Sequence, residues 1–417
     1  MLPLYTLILG LSVLSILPED VIGRCEMAIM DPAPVILTSF GSRHLLTDAQ
    51  VPFVRDSYES VQMYCAGGFE VNGGSYNWMK LKDTSEIFTC NLDHFNSKKY
   101  PSHAISSVRC RGTTVSLMFE SRTSLPDCGD HMTLVVAQDF GEMGSIKSAG
   151  ICYDIVGLEL KYVSYTAYPP KNRLIEKQVQ LGQLNVLGLD INVTYTKSLF
   201  KTVSPMVIEE YWKKDNQLKQ LFGGVIFEYT SLVQDEDIRR QLAGYEEMLS
   251  VVWLRSLRTG NWRLWLNALQ AAIEPAGSKF DIRLGVSGQL SMPLMRECNA
   301  SRILSIELDN GHSPLKLPAH IWAHVRDLHP TGKAQDEFVV IGHNSPFFKA
   351  EDMNEFCPTM CEQVAWLKNS VFGSLRDYPA YGLVQCCRVQ DVAHKLDNFP
   401  GVAEGSVSTS TATPAES

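Results

Sequence analysis

L-S-V-V-W-L-R-S-L-R-T-G-N-W-R-L-W, from Leu249 to Trp265, holds three of the seven tryptophans in this 417-residue chain, so the core of its domain is anchored here. Working upstream, Ile238, Leu242, Tyr245, Leu249, Trp253 and Leu257 step by three or four residues, which predicts one face of a long helix. Downstream, Thr259 or Asn261 is placed to cap a second helix. Its buried face would be Trp262, Trp265, Leu266, Leu269 and Ile273, and Gly277 would close it. Beyond that, Ile282, Leu284 and Val286 alternate as in a strand, and Phe338 to Ile341 is another. Ser204 to Phe222 also has helix-like apolar spacing. Helices and strands are therefore mixed, and the fold class read from the sequence is α+β.

The early half reads differently. Thr113 to Glu120, Met132 to Ala137 and Leu158 to Tyr165 are short β-branched or aromatic runs, and Gly67-Gly68 and Gly73-Gly74 mark turns. Six cysteines fall in this half (Cys25, Cys65, Cys90, Cys110, Cys128, Cys152) and five later (Cys298, Cys357, Cys361, Cys386, Cys387). A Cys-rich β module over 24–169, ending near Tyr168-Pro169-Pro170, is expected ahead of a second domain over 170–400. Residues 1–23 read as a signal peptide, with an apolar run to about Pro18 and a small-residue cleavage site at Val21-Ile22-Gly23 or Val13-Leu14-Ser15. Residues 401–417 form a Ser/Thr-rich tail with nothing to bury, which predicts disorder and possible O-linked sugar.

Export to an oxidising compartment follows from that leader and from the cysteines. Cys357, Cys361, Cys386 and Cys387 could in principle hold zinc, but adjacent cysteines are awkward for tetrahedral ligation, so disulfides are the expectation. An odd total leaves one thiol over, and the pairing is not readable. Asn192-Val193-Thr194 and Asn299-Ala300-Ser301 are glycosylation sequons, which makes Asn192 and Asn299 candidate modification sites. A net charge of −9 argues against a protein that coats nucleic acid by bulk electrostatics, although a local basic groove stays open. No membrane partner is expected, since only the leader is apolar enough to approach a span.

Several short motifs recur in order: T-G-N-W-R-L-W from Thr259, F-D-I-R-L-G-V-S-G-Q-L-S-M-P to Pro293, L-K-L-P-A-H-I-W from Leu315, V-I-G-H-N-S-P from Val340, C-P-T-M-C-E-Q-V-A-W-L from Cys357 and Y-G-L-V-Q-C-C-R-V from Tyr381. In this order they resemble the secreted insect branch of the DNA/RNA non-specific endonuclease family, and the chain is similar to nuclease-like salivary proteins of blood-feeding flies, the tsetse type in particular. The resemblance covers roughly 170–400. It implies a ββα-metal-finger endonuclease-like domain, hydrolysis by a histidine base and one magnesium ion, and saliva as a source. The family's histidine sits in an Arg-Gly-His-Leu stretch, its metal-binding asparagine opens an Asn-x-x-Pro-Gln segment, and a glutamate follows the Asn-Trp element.

This chain departs from that pattern. No histidine lies between His131 and His312, where the base should fall. With Asn261-Trp262 as anchor, the asparagine position becomes Leu249, the Pro-Gln pair becomes Val252-Trp253, a second asparagine becomes Arg258 and the glutamate becomes Leu266. The histidine motif is best placed at Gly223-Gly224-Val225-Ile226, with Val225 for the histidine. Leucine offers magnesium no oxygen, so no catalytic or metal-binding residue is assigned, and magnesium is expected only if the enzyme is active. His312, His320, His324, His329 and His343 read as structural or surface groups, and His343-Asn344 as a structural turn. What would remain is binding of DNA or RNA through Arg255, Arg258 and Arg263. Trp253 and Trp262 read as core, and the arginines equally as solvated helix residues. Lys213, Lys214 and Lys219, offset by Glu209, Glu210 and Asp215, read as surface. The alternatives are an extracellular interaction protein with a protein partner, or a nuclease with a rebuilt site.

Overall fold

A computed structural model describes residues 23–40, 42–46, 52–74, 77–167, 172–174, 182–193, 203–222, 226–276, 280–294, 300–307 and 314–400. Residues 1–22, residues 401–417, Asn299, Cys298, His312 and positions 223–225 of the proposed histidine motif lie outside the described residues. The chain divides into two units, residues 1–39 with 48–113, and 40–47 with 114–417.

The first unit is made of short strands. Arg24–Ile29 pairs antiparallel with Phe53–Asp56 and parallel with Ser107–Cys110, which in turn pairs with Phe69–Asn72. Ser60–Tyr64, Ser85–Asn91 and His94–Ser97 form an antiparallel run. Buried Met27, Phe53, Met63, Phe69, Phe88 and Phe95 supply the core. Cys25–Cys90 and Cys65–Cys110 cross-link it, as expected where a small unit buries limited apolar area.

The second unit is built on strands β1 (Leu117–Glu120), β2 (Met132–Asp139), β3 (Ser145–Asp154), β4 (Glu159–Ala167) and β5 (Ile191–Asn192). Helices α1 (Pro205–Lys214) and α2 (Asn216–Phe222) follow, then β6 (Phe227–Ser231), α3 (Glu236–Gln241), β7 (Ser250–Leu254), α4 (Arg255–Thr259) and α5 (Asn261–Ala276). Strands β8 (Phe280–Ser287), β9 (His320–Asp327), β10 (Glu337–His343) and β11 (Val384–Cys387) complete it. Nine of the strands form one antiparallel sheet in the order β5-β1-β2-β3-β4-β8-β9-β10-β11. Side chains alternate between its faces. Leu134, Ala323, Val340 and Cys386 join one core with α5, while Val135, Trp322, Val339 and Cys387 join a second core with Leu184, Leu187 and Phe399.

This pairing changes the expected domain organisation. The sequence reading ends the Cys-rich module near Tyr168, but Thr114 to Ala167 groups with the later residues, because β4 hydrogen-bonds β8 from Tyr162↔Gly285 to Ala167↔Phe280. The long helix expected over Ile238 to Leu257 is also corrected. Helix α3 ends at Gln241, Gly244 takes φ +96°, and Ser250–Leu254 is a strand paired with β6. Positive φ breaks a helix, and the Val251-Val252-Trp253 run favours extended backbone. The first expected early strand is shorter than read, at Leu117–Glu120. Helix α5 forms as expected, with Trp262, Trp265, Leu266, Leu269 and Ile273 all buried.

Close packing at the β8–β9 crossing makes one substitution diagnostic. A Cβ at Gly285 would lie 2.2 Å from Cζ2 of Trp322, a fully buried ring on the neighbouring strand. Gly285→Ala is therefore expected to destabilise the protein by about 1–3 kcal/mol through overpacking. A thermal melt with an unchanged midpoint would contradict this packing.

Five disulfides form among the described residues, the later three being Cys128–Cys152, Cys357–Cys387 and Cys361–Cys386. The four late cysteines pair with one another as disulfides, and such a content fits a protein made for an oxidising compartment. No described helix is long and apolar enough to cross a membrane.

Candidate functional site

Strands β6 and β7 pair from Phe227↔Leu254 to Ser231↔Ser250, and β7 runs directly into α4 and α5. This strand–strand–helix unit is fixed by polar contacts, both within itself and to the segment that precedes β11. Asn261 is fully buried and its Nδ2 donates to the carbonyls of Leu375 (2.8 Å) and Gly382 (2.5 Å). Trp253 Nε1 donates to the carbonyl of Ser231 at 3.2 Å. Trp253, Trp262 and Trp265 pack ring against ring at centroid separations of 5.3 and 5.0 Å. These indoles are core, so they present no face for stacking on a base.

Four of the positions carried over from the nuclease pattern, Leu249, Val252, Trp253 and Leu266, are core too, whereas Arg258 is part-buried. Leu249 and Trp253 are 0% exposed and Leu266 is 7% exposed. Among the described residues, no three His, Cys, Asp or Glu side chains are grouped so as to hold a metal ion. Of the later histidines, His320 and His324 sit on β9 and His343 on β10, while His329 lies beyond the end of β9. His343 is 1% exposed, stacks on Phe348 at a centroid distance of 3.7 Å, and faces His320 with 3.1 Å between their Nδ1 atoms. Burial drives the His320 imidazole down to about 4 and that of His343 well below its ordinary value. Both rings are neutral at physiological pH. His324, also lowered by burial, lies 2.8 Å from Glu337 Oε1 through its Nε2.

The three candidate arginines have different environments. Arg255 and Arg258 share one carboxylate: Arg255 Nε lies 3.0 Å from Glu228 Oε1, and Arg258 Nε donates to Glu228 Oε2 at 2.8 Å. Arg263 is exposed and makes no ion pair among the described residues. Arg258 and Arg263 line an open polar basin of about 680 Å³, but Arg255 does not. Helix α3 adds Arg239 and Arg240 to the same basin. These two were missed in the sequence reading because they were placed on a helix continuous with β7. Asp235 caps α3, accepting from the backbone N–H of Asp237 and Ile238. It also accepts from Gln270 Nε2 at 2.8 Å, which ties α3 to α5 across the basin. Arg240 pairs with Asp237 at 2.9 Å and Arg239 with Glu246 at 3.1 Å. The basin is thus an arginine cluster largely balanced by acids, with Arg263 as its unpaired cation among the described residues.

Asn192 is exposed on edge strand β5, while Thr194 of its sequon lies outside the described residues. No protein-family model matches this chain, and no curated protein matches it.

Proposed function

We propose that the later unit is a ββα-metal-finger, endonuclease-like domain whose cleavage centre has been filled with core, and that the protein is a secreted nucleic-acid-binding protein with little or no phosphodiesterase activity. The observation that carries this reading is the burial of Leu249 and Leu266, the positions assigned to the metal-binding asparagine and the glutamate. Neither supplies an oxygen, so magnesium has no ligand there. The β6–β7 pair leading into α4 and α5 supports the scaffold. The four arginines of the basin support a phosphate ligand, because a guanidinium matches phosphate geometry in a bidentate way. A second reading, a protein partner, is favoured by the carboxylates of Glu228 and Asp237, which offset three of the five arginines in this region.

The test is a titration of the purified full chain against labelled single-stranded DNA, duplex DNA and RNA, in magnesium and in EDTA. A salt-sensitive shift without cleavage is expected. Arg263→Glu should weaken it about tenfold and lower the salt slope by roughly one. Magnesium-dependent degradation would overturn the loss of catalysis, and no shift with any nucleic acid would move the reading to a protein partner.

A further inference from the structure

A second cavity, of about 210 Å³, is lined by Tyr229 of β6 and by Ser250 and Val251 of β7, and shares no lining residue with the arginine basin. Its apolar wall includes Leu160, Val251, Val286 and Leu315. Three of these, Leu160, Val286 and Leu315, are packed on the main core yet remain only partly buried. The core is incomplete at this point. Tyr153 and Tyr229 add two aromatic rings to the lining. Burial pushes the Tyr229 hydroxyl well up, so it stays a neutral hydrogen-bonding group at any physiological pH.

The charged lining is unbalanced. Glu159, Glu247 and Asp397 contribute carboxylates and Lys316 the one ammonium. Lys316 Nζ donates to Glu159 Oε1 at 2.9 Å, and Lys161, 3.5 Å from Glu159 Oε2, is shared with Asp154 at 3.4 Å, so these four charges offset one another. Asp397 Oδ2 accepts from the backbone N–H of Gly288 at 2.8 Å, and neither it nor Glu247 has an ion-pair partner among the described residues. Two carboxylates without an ion-pair partner among the described residues therefore border an apolar, aromatic space. An apolar cavity of roughly 150 Å³ takes a benzene ring, whereas drug-sized ligands need about 300 Å³ or more. The space fits one ring with a short chain.

We infer that this cavity binds a small monocyclic organic ammonium ion, its ring against the apolar wall and its charge toward Glu247 and Asp397. Hydrogen bonds from an ammonium to carboxylate are among the stronger ones available to a ligand of this size, and they would distinguish it from neutral and anionic relatives of the same shape.

Calorimetric titration of the full chain with 2-phenylethylammonium, 2-phenylethanol and 3-phenylpropionate tests this directly. The ammonium compound is expected to saturate with a dissociation constant on the order of 0.1 mM. The alcohol should bind about tenfold more weakly, and the carboxylate should show no saturable binding. The double variant Glu247→Gln with Asp397→Asn should lose about tenfold in affinity for the ammonium. Both replacements are exposed and isosteric, and circular dichroism checks that the fold is retained. The inference is overturned by equal binding of alcohol and ammonium, by absence of saturation with the ammonium, or by unchanged affinity in the folded double variant.

Discussion

Replacing Asn344 by alanine is expected to lower the free energy of unfolding by about 3–5 kcal/mol, the largest loss of any single polar side chain considered in this fold. Asn344 is 0% exposed, just past the end of β10. Its Oδ1 accepts from the backbone N–H of Leu254 at 2.5 Å, and its Nδ2 donates to the carbonyls of Val252 (2.8 Å) and Pro318 (2.9 Å). One amide therefore satisfies three main-chain groups from two separate segments, and it fastens β7 beside the main sheet. Alanine would leave all three buried without partners, at about 1–3 kcal/mol for each group. Asn344→Asp should fare no better, since a carboxylate cannot donate to either carbonyl. Urea unfolding at neutral pH reads the effect. A loss under about 1 kcal/mol for the alanine variant would show that water or a backbone shift replaces the amide.

Acid should weaken the fold in a window set by His320 and His343, with His324, also lowered by burial, adding to it. In the folded protein burial lowers both rings, His320 to about 4, while an unfolded histidine titrates near the ordinary 6.5. Between those values the unfolded chain binds a proton that the folded chain refuses, so stability rises with pH across the window. The stabilisation is fully present above 6.5, falls as the pH drops below it, and for His320 is lost by about 4. For His320 alone the linked change is on the order of 3 kcal/mol. Asp397 acts against the shift by favouring the charged ring, but desolvation is the larger effect. Carboxylates held low by their partners, such as Glu337 beside His324 and Asp215 in its loop, act mainly at lower pH. Urea midpoints between pH 7 and 4.5 should fall steeply in the wild type and less in His320→Phe, whose ring would pack against Phe356 and Phe348. Parallel curves for the two proteins would assign the acid sensitivity to other groups.

Much of the second unit was legible because its signals are local. Trp262, Trp265, Leu266, Leu269 and Ile273 repeat at helical spacing, and α5 buries all five. The burial of Trp253 and Trp262 also followed from their place in apolar runs. The segment from Ile238 to Leu257 misled because the strand Ser250–Leu254 buries four consecutive residues, Val251 to Leu254, so apolar positions at three-and-four spacing run on from a short helix through a turn into it. Gly244 and the β-branched pair Val251-Val252 were the contrary signals. The domain boundary was obscured because β4 finds its partner β8 more than a hundred residues away, and such pairing leaves no local trace. For the same reason Arg258 and Arg263 could be nominated from sequence, whereas Arg239 and Arg240 join them only through the fold.

The adjacent cysteines of β11 have a consequence for chain integrity. Neighbouring residues on a strand point to opposite faces, and Cys386 and Cys387 enter different cores, where they meet Cys361 and Cys357. A protease that severs the backbone anywhere between Glu362 and Gln385 therefore produces two pieces still joined by two covalent bonds, with β11 still hydrogen-bonded to β10. In this part of the molecule a broken chain and a broken structure are separate events, and the first does not entail the second.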